Sequence, residues 1–216
     1  MAAAAIAALP VGRAWAQALL YDPLPPPGSA YLRVVNARSA PVLVQAASLP
    51  AETLRTNPAE RVGAYRVVEN VAGRTLSIGY TVDRTKAETR IEIAPGAFVT
   101  VMILPDGHAS SAVDETQFNQ VRAKIGFYNA TADCADGRLA IDPGEPAVFE
   151  GVAPGASRMR AVNPVTTQVK AGCAGTSAPP FLLSGLEQGG RYSVWLMRVP
   201  QPIAFISQDV TQVWKP

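Results

Sequence analysis

Short runs of strand-forming residues, separated at regular intervals by turn signals, dominate this chain from Tyr31 onward. Three of the runs in the first half, residues 31–36, 42–46 and 76–82, are rich in Val, Leu, Ile, Tyr and Thr. Strands of this length with a turn every 8–12 residues or so are typical of β-sandwiches and β-barrels. The 19 prolines agree, because proline breaks helix interiors and is common in turns. We therefore predict a mostly β protein.

Three more strands are expected in the first half, at residues 64–68, 89–93 and 98–104. Turns at Ala72-Gly73 and Ala94-Pro95-Gly96 separate them, and Pro105-Asp106-Gly107 ends the set. One short helix is predicted, a surface connection over residues 51–56.

The second half repeats this plan. The run KIGFYN at residues 124–129 is similar to residues 32–36, and Asn36-Ala37 has its counterpart in Asn129-Ala130. Residues 155–159 likewise match 63–67, and 190–200 match 96–105 with one extra residue. These offsets of about 92–94 positions agree with one another, which indicates a duplicated domain. We expect two tandem small antiparallel β-sandwich domains of similar topology, joined by a short linker.

The domain boundaries follow from these patterns and from changes in composition. The three successive prolines at 25–27 favour an extended lead-in. The polar stretch from His108 to Gln120 has the composition of a linker. Trp214 near the end of the chain could be a docking residue or could pack back on a domain. The expected segments are a signal peptide at 1–16, the lead-in at 17–28, an N-terminal sandwich at 29–107, the linker at 108–120, a C-terminal sandwich with a disulfide at 121–206, and a tail at 207–216.

The first residues are similar to a secretion signal. They combine a small Ala-rich apolar core with Pro10 and the pattern Ala14-Trp15-Ala16, which suits cleavage before Gln17. The basic segment that normally precedes such a core is missing, so we expect that the numbered chain begins downstream of the true start. The alternative is an ordinary flexible N-terminus. No later segment approaches the roughly 20 apolar residues of a membrane-spanning helix.

The two cysteines, Cys134 and Cys173, agree with export. A pair in an oxidising compartment most often forms a disulfide, and two unrelated buried thiols are the alternative. With a single histidine in the chain, a zinc site with the usual ligands is not expected.

The sequence contains no recognisable catalytic motif. His108 is the only residue that could act as the base of a Ser-His-Asp triad, and it stands between Asp106 and Ser110-Ser111 in the predicted linker. The acidic residues Asp133, Asp136, Asp142 and Glu145 cluster around turns near Cys134, so we interpret them as a solvated loop rather than a glycosidase pair.

Cofactors and nucleic acid are not expected either. No G-x-G-x-x-G or phosphate-binding loop is present. The formal net charge is only +2, and Lys and Arg are scattered, without the basic stripe that binds a run of phosphates.

The order of several segments resembles the AlgF family of alginate O-acetylation proteins. The run YDPLPPPGSAYLRVVN at residues 21–36 is similar to the mature N-terminus of that family. Further similarity lies in FYN at 127–129, in the paired cysteines and in DVTQVW at 209–214. None of these is a catalytic motif, so no catalytic residue is implied by the resemblance.

The resemblance implies a periplasmic, non-enzymatic adaptor that is required for O-acetylation of an exported polysaccharide, with alginate as the first expectation and acetylated cellulose as another polymer of related systems. Its implied partners are periplasmic SGNH-type acetyltransferases and a membrane O-acyltransferase. Two other functions stay open: a cryptic enzyme that handles acetyl groups, and a polysaccharide-binding module.

Overall fold

The computed structural model describes residues 23–115, 120–144 and 146–215. In the first half, eight strands and one helical turn follow one another along the chain. They are β1 (Ala30–Asn36), β2 (Val42–Ala46), β3 (Glu52–Leu54), α1 (Pro58–Arg61), β4 (Arg66–Val68), β5 (Thr75–Val82), β6 (Thr85–Glu92), β7 (Phe98–Ile103) and β8 (Ala109–Asp114).

These strands form two sheets that pack face to face. The inner sheet has the order β4-β1-β7-β8, and the outer sheet has the order β3-β2-β5-β6. Along β2 the buried and exposed residues alternate, as expected of a strand with one face on a core. Leu32 and Val101 of the inner sheet and Val44 and Ile78 of the outer sheet belong to the apolar core between them.

The second half has the same architecture. Its strands are β9 (Ala123–Asn129), β10 (Gly137–Ile141), β11 (Ala147–Val152), β12 (Ser157–Val162), β13 (Thr167–Cys173), β14 (Thr176–Ser177), β15 (Phe181–Leu183), β16 (Arg191–Arg198) and β17 (Pro202–Gln208). The inner sheet has the order β12-β9-β16-β17. The outer sheet has the order β11-β10-β13-β14, and β15 also pairs with β13. Their shared core includes Phe127, Leu139 and Val194. The predicted mostly β fold with two similar sandwiches is therefore confirmed.

The inner sheets of the two halves have equivalent strand orders, β4-β1-β7-β8 and β12-β9-β16-β17. Leu32 pairs with Val99 in the first inner sheet, and Ile125 pairs with Tyr192 in the second, so both strands of each pair are displaced by 93 positions. We predicted one extra residue in 190–200 relative to 96–105. Within the strands this is wrong, because β7 and β16 align without an insertion.

The outer sheets are antiparallel as predicted, whereas each inner sheet is mixed, with two antiparallel pairings and one parallel pairing. β1 and β7 run parallel, as do β9 and β16. In each half the outer sheet's strands lie between the two in sequence, so a long excursion separates them. Such a crossover is what a parallel pair requires.

Asn36 and Asn129 show why the repeated Asn-Ala pair matters. Each is fully buried at the end of the first strand of its half. Asn36 Nδ2 donates to the carbonyls of Ala40 and Leu54, at 2.9 and 3.1 Å. Asn129 Nδ2 donates to those of Cys134 and Val152, at 2.7 and 2.8 Å. Both amides therefore tie the turn after the first strand to the third strand of the half.

A third apolar cluster joins the two sandwiches. Val35 and Met102 from the first inner sheet pack with Tyr128, Trp195 and Met197 from the second. The rings of Tyr128 and Trp195 stack with their centroids 4.3 Å apart. The central strands β1, β7, β9 and β16 are buried on both faces. The molecule is therefore a stack of four sheets, and we call the contact between the inner sheets the central interface.

The predicted helix at residues 51–56 is wrong. Its middle is the strand β3, which pairs with β2, because the segment lies between two prolines and is too short to nucleate a helix. The helical turn α1 follows it instead. Asn57 caps that turn by accepting from the Glu60 amide, and Pro58 takes the first position, where its missing N–H costs nothing.

The predicted linker at 108–120 needs correction because it contains a strand, and the predicted tail at 207–216 lies against the first half. Residues Ala109–Asp114 are β8, hydrogen-bonded to β7 across its whole length. The tail begins within β17 and then crosses to the first half, where the Tyr65 amide donates to the Val210 carbonyl at 2.8 Å and the Gln212 amide donates to the Tyr65 carbonyl at 2.8 Å. We call residues 209–215 the C-terminal strap.

The predicted disulfide between Cys134 and Cys173 is confirmed, and it joins the loop after β9 to the end of β13. A disulfide is compatible with an exported protein. No helix in the described part of the chain is long and apolar enough to span a membrane. The predicted signal peptide at 1–16, its cleavage before Gln17 and the start of the lead-in lie outside the described residues.

Candidate functional site

A buried polar network lies at the centre of the central interface, around Arg33 of β1. Arg33 is 2% exposed. Its Nε donates to Thr100 Oγ1 at 2.8 Å, and its Nη1 binds Asp209 Oδ1 of the C-terminal strap at 2.6 Å. Its Nη2 donates to Tyr128 and Ser193 of the second half, both at 2.9 Å. One guanidinium therefore connects both inner sheets and the strap.

Asp114 at the end of β8 is the second carboxylate of this network. The hydroxyls of Tyr65 and Thr100 donate to its Oδ2, each at 2.6 Å, and the Tyr128 hydroxyl donates to its Oδ1 at 2.5 Å. Asp114 and Asp209 occupy equivalent places in the two halves. Asp114 lies opposite Phe98, and the Asp209 amide bonds to the carbonyl of Arg191, the residue equivalent to Phe98.

The electrostatics of the network keep Arg33 charged and the two buried phenols neutral. Burial on its own would lower the pKa of the Arg33 guanidinium, but Tyr128, Asp209 and the other neighbours raise it overall above the ordinary value. Burial raises the pKa values of the Tyr65 and Tyr128 phenols, against the opposing effect of Arg33. Arg33 is thus a permanent cation, and both phenols stay protonated donors.

Sequence reasoning missed this network, although a signal was present. Arg33 interrupts the otherwise apolar run YLRVVN. A long cation in a strand that is buried on both faces needs a buried partner. Its partner Asp209 lies 176 positions away, so no local pattern could identify the pair.

The candidate triad residues do not form a hydrogen-bonded triad in the described part of the chain, because only His108 and Asp106 are paired and Ser110 bonds elsewhere. His108 lies in the turn between β7 and β8 with its side chain 83% exposed, and its Nδ1 lies 3.1 Å from Asp106 Oδ2. Burial alone would raise the pKa of the Asp106 carboxyl, but hydrogen bonds from His108 lower it overall. Ser110 Oγ donates instead to the Gly155 carbonyl, at 2.9 Å. His108 and Asp106 together form a local turn.

The acidic residues near Cys134 have separate structural contacts. Asp133 pairs with Arg198 at 2.8 Å, and Asp136 accepts from the Gly151 amide at 2.7 Å. Asp142 lies in the turn after β10, and Glu145 lies outside the described residues. Within the described ranges, no three His, Cys, Asp or Glu side chains lie close enough to hold a metal ion.

A groove with a volume of about 960 Å³ lies beside the C-terminal strap. One wall is the loop after β2 with Leu49 and Pro50, and the other is the strap with Trp214 and Lys215. Trp214 Nε1 donates to Glu69 at 2.8 Å. Trp214 therefore packs back on the first half, and its half-buried ring helps to line the groove. We call this space the strap groove.

Two shallower grooves occupy equivalent positions on the outer sheets. One, of about 480 Å³, includes Gln45 and Gly79, and the other, of about 320 Å³, includes Arg138 and Gly172. Gln45 pairs with Gly79 in β2 and β5, and Arg138 pairs with Gly172 in β10 and β13, with 93 positions between the halves. The duplication has therefore given each outer face a depression at the same place but with different lining residues.

The comparisons with known proteins identify no relative. No family model matches the chain. No curated protein is significantly similar to it.

Proposed function

We propose that this protein is a non-enzymatic periplasmic adaptor required for O-acetylation of an exported polysaccharide, with alginate as the first polymer to test. On this proposal it holds periplasmic SGNH-type acetyltransferases near a membrane O-acyltransferase that delivers acetyl groups. Its own contribution is binding.

One observation carries the proposal. The three segments on which the resemblance to the AlgF family depends meet in the central interface. Arg33 comes from residues 21–36, Tyr128 from the FYN run and Asp209 from the DVTQVW run, and Arg33 contacts the other two directly. A sequence resemblance scattered over the chain thus corresponds to one structural unit, which supports a shared architecture.

The remaining surfaces suit an adaptor rather than an enzyme. The buried ionisable groups of the network are bonded to one another, and His108 bonds only to its own turn. The strap groove and the two outer faces, in contrast, are open and lie on different parts of a rigid stack of sheets. Separate faces on one rigid body allow two partners to bind at the same time.

Genetic complementation tests the proposal. We expect deletion of the gene to abolish acetylation of the exported polymer, and the intact gene to restore it. The His108→Ala variant should restore acetylation equally, because no proton transfer passes through this exposed side chain. Acetyl content of the purified polymer is the measurement. Loss of acetylation with a stably folded His108→Ala protein would contradict the adaptor and favour the enzyme.

A binding assay is the second test of the adaptor proposal. The purified protein should co-elute with the purified SGNH-type acetyltransferase of the same organism, and it should release no acetate from an activated acetyl ester. Ester hydrolysis above the buffer rate would contradict the proposal directly.

A further inference from the structure

The C-terminal strap pairs with the inner sheet of the first half over only a short distance. Tyr65 directly precedes the edge strand β4, and both its backbone groups bond to the strap, through Val210 and Gln212. Backbone groups of alternate residues point to the same edge of a strand. The N–H and C=O of Val67 therefore also face the strap.

Val67 has no backbone partner on that side within the described residues, because the strap has already diverged from β4. The strap groove opens at this point, with Val67 on one wall and Trp214 on the other. An unpaired strand edge is a template for a further strand. The groove is thus a gap in the sheet, bounded on its far side by the molecule's own strap.

The charges around the gap select the kind of segment that it would take. Arg66 already pairs with Glu52 at 2.7 Å, and Glu69 accepts from Trp214. Arg74 and Lys215 also line the groove, and neither has a carboxylate partner in the part of the chain that the structure describes. Two available cations favour an occupant with carboxylate side chains.

We propose that the strap groove binds an extended, acidic segment of a partner protein, which adds a strand to β4 at Val67. The segment's backbone pairs with Val67, its carboxylates bind Arg74 and Lys215, and the Trp214 ring packs on one of its side chains. This inference depends on the adaptor proposal for its biological partner, an acetyltransferase, but the groove can be tested without that partner.

The first experiment uses synthetic probes on the full chain. A capped peptide of alternating Glu and Val is titrated into labelled protein, and the same peptide with Lys for Glu is the control. The acidic peptide should shift the Trp214 indole N–H resonance, identified by its absence in Trp214→Phe, and should protect the Val67 amide from exchange. The Lys peptide should bind about tenfold more weakly or worse.

Three variants test the edge donor, the two cations of the groove and a control position separately. Val67→Pro removes the backbone N–H at the strand edge, so it should abolish peptide binding. The variant should still fold, because proline is tolerated on an exposed strand edge. Arg74→Glu with Lys215→Glu should reverse the preference between the two peptides. Lys170→Glu, the same charge change on the outer face of the second half, should leave binding unchanged. Equal binding of both peptides, or tighter binding of an acidic oligouronate than of the peptide, would overturn the proposal.

The second experiment identifies the partner. A photo-crosslinking amino acid at position 74 of the full chain should capture an acidic segment of the purified acetyltransferase, whereas the same group at position 170 should not. Co-elution of the two proteins without a crosslink at position 74 would refute the groove and leave the adaptor intact. Peptide binding without any co-elution would refute the adaptor and leave the groove intact.

Discussion

Arg33 is a cation that the fold has to neutralise internally. It binds Asp209 directly, and the second carboxylate of the network, Asp114, is occupied by three hydroxyls. A buried ion pair contributes little net stability compared with apolar residues, but removal of one partner leaves a buried charge without compensation. The network therefore specifies which surfaces meet more than it strengthens their contact.

The Asp209→Asn variant tests how much the buried ion pair with Arg33 contributes to stability. We expect the free energy of unfolding to fall by about 3–5 kcal/mol, because Arg33 loses its carboxylate while it stays buried. Urea unfolding followed by circular dichroism is the measurement. Asp133→Asn, which breaks the exposed pair with Arg198, is the control and should cost less than about 1 kcal/mol. Equal effects of the two variants would show that the buried pair has no special role.

The buried phenols predict how the protein responds to alkali. The pKa values of Tyr65 and Tyr128 are raised in the folded state, so above pH ~10 the unfolded chain loses phenolic protons that the folded chain keeps. The free energy of unfolding should therefore be unaffected by these groups below pH ~10 and fall above it, by roughly 1.4 kcal/mol per pH unit for each phenol.

Absorbance at alkaline pH checks this directly. Two tyrosines should ionise only together with unfolding, and Tyr65→Phe should reduce that number to one. Ionisation of all the tyrosines near pH ~10 in protein that is still folded would contradict the network as described.

At the scale of single elements, the success of sequence reasoning depended on how each strand is paired. The run at 42–46 was predicted to the residue, because β2 has one buried and one exposed face and alternates accordingly. β3 was mistaken for a helix since Ala and Glu are good helix formers, and its strand conformation comes only from pairing with β2. The sequence ASSAVD of β8 was taken for a linker because an edge strand can be polar.

The C-terminal strap is the element that no local pattern could predict. Its hydrogen bonds are made to Tyr65 in the other half of the chain, and its Trp214 bonds to Glu69. The sequence left two roles open for Trp214, and the structure combines them, since a ring that packs on the first half also lines an open groove. Propensity alone carries no information about such distant partners.

Truncation after Asp209 removes the strap residues that bond to Tyr65 but keeps the ion pair between Arg33 and Asp209. The Tyr65 amide, which bonds to Val210, should exchange its hydrogen at least about tenfold faster, because that bond is lost. The Gly63 amide, which bonds to Val34 at 3.0 Å inside the first half, should stay protected and is the internal control. Hydrogen exchange followed by NMR distinguishes the two. Unchanged exchange at Tyr65 would mean that the strap does not pair with this edge in solution.

At the scale of the whole molecule, the duplication has produced one body from two similar halves. The two outer sheets keep the exposed face expected of a sandwich, whereas the central strands of each inner sheet are buried on both faces. Repetition in the sequence predicted the two sandwiches correctly. It could not predict that they share the central interface, because the apolar residues of that interface, such as Val35 and Trp195, also fit the pattern of ordinary strands.

A shared interface predicts cooperative unfolding. The intact protein should unfold in a single transition, with the same midpoint for both halves, because separation of the halves would expose the third apolar cluster and the charge of Arg33. A fragment that ends at Gly107 lacks β8 and should be molten or aggregated. Residue-specific NMR signals across a urea series are the measurement. Two separate transitions would restore the picture of independent domains.

The distance along the chain between Arg33 and Asp209 also has a consequence in time. A polypeptide is made from its N-terminus onward, and early segments normally fold as soon as they are complete. Here the first half receives the counter-ion of its central arginine from a residue that is synthesised 176 positions later. The partners for the backbone of Tyr65 come from the same late segment. The first half therefore cannot complete its contacts before the second is made, and a chain that is truncated or stalled before residue 209 leaves the charge of Arg33 and the edge at Tyr65 without these partners.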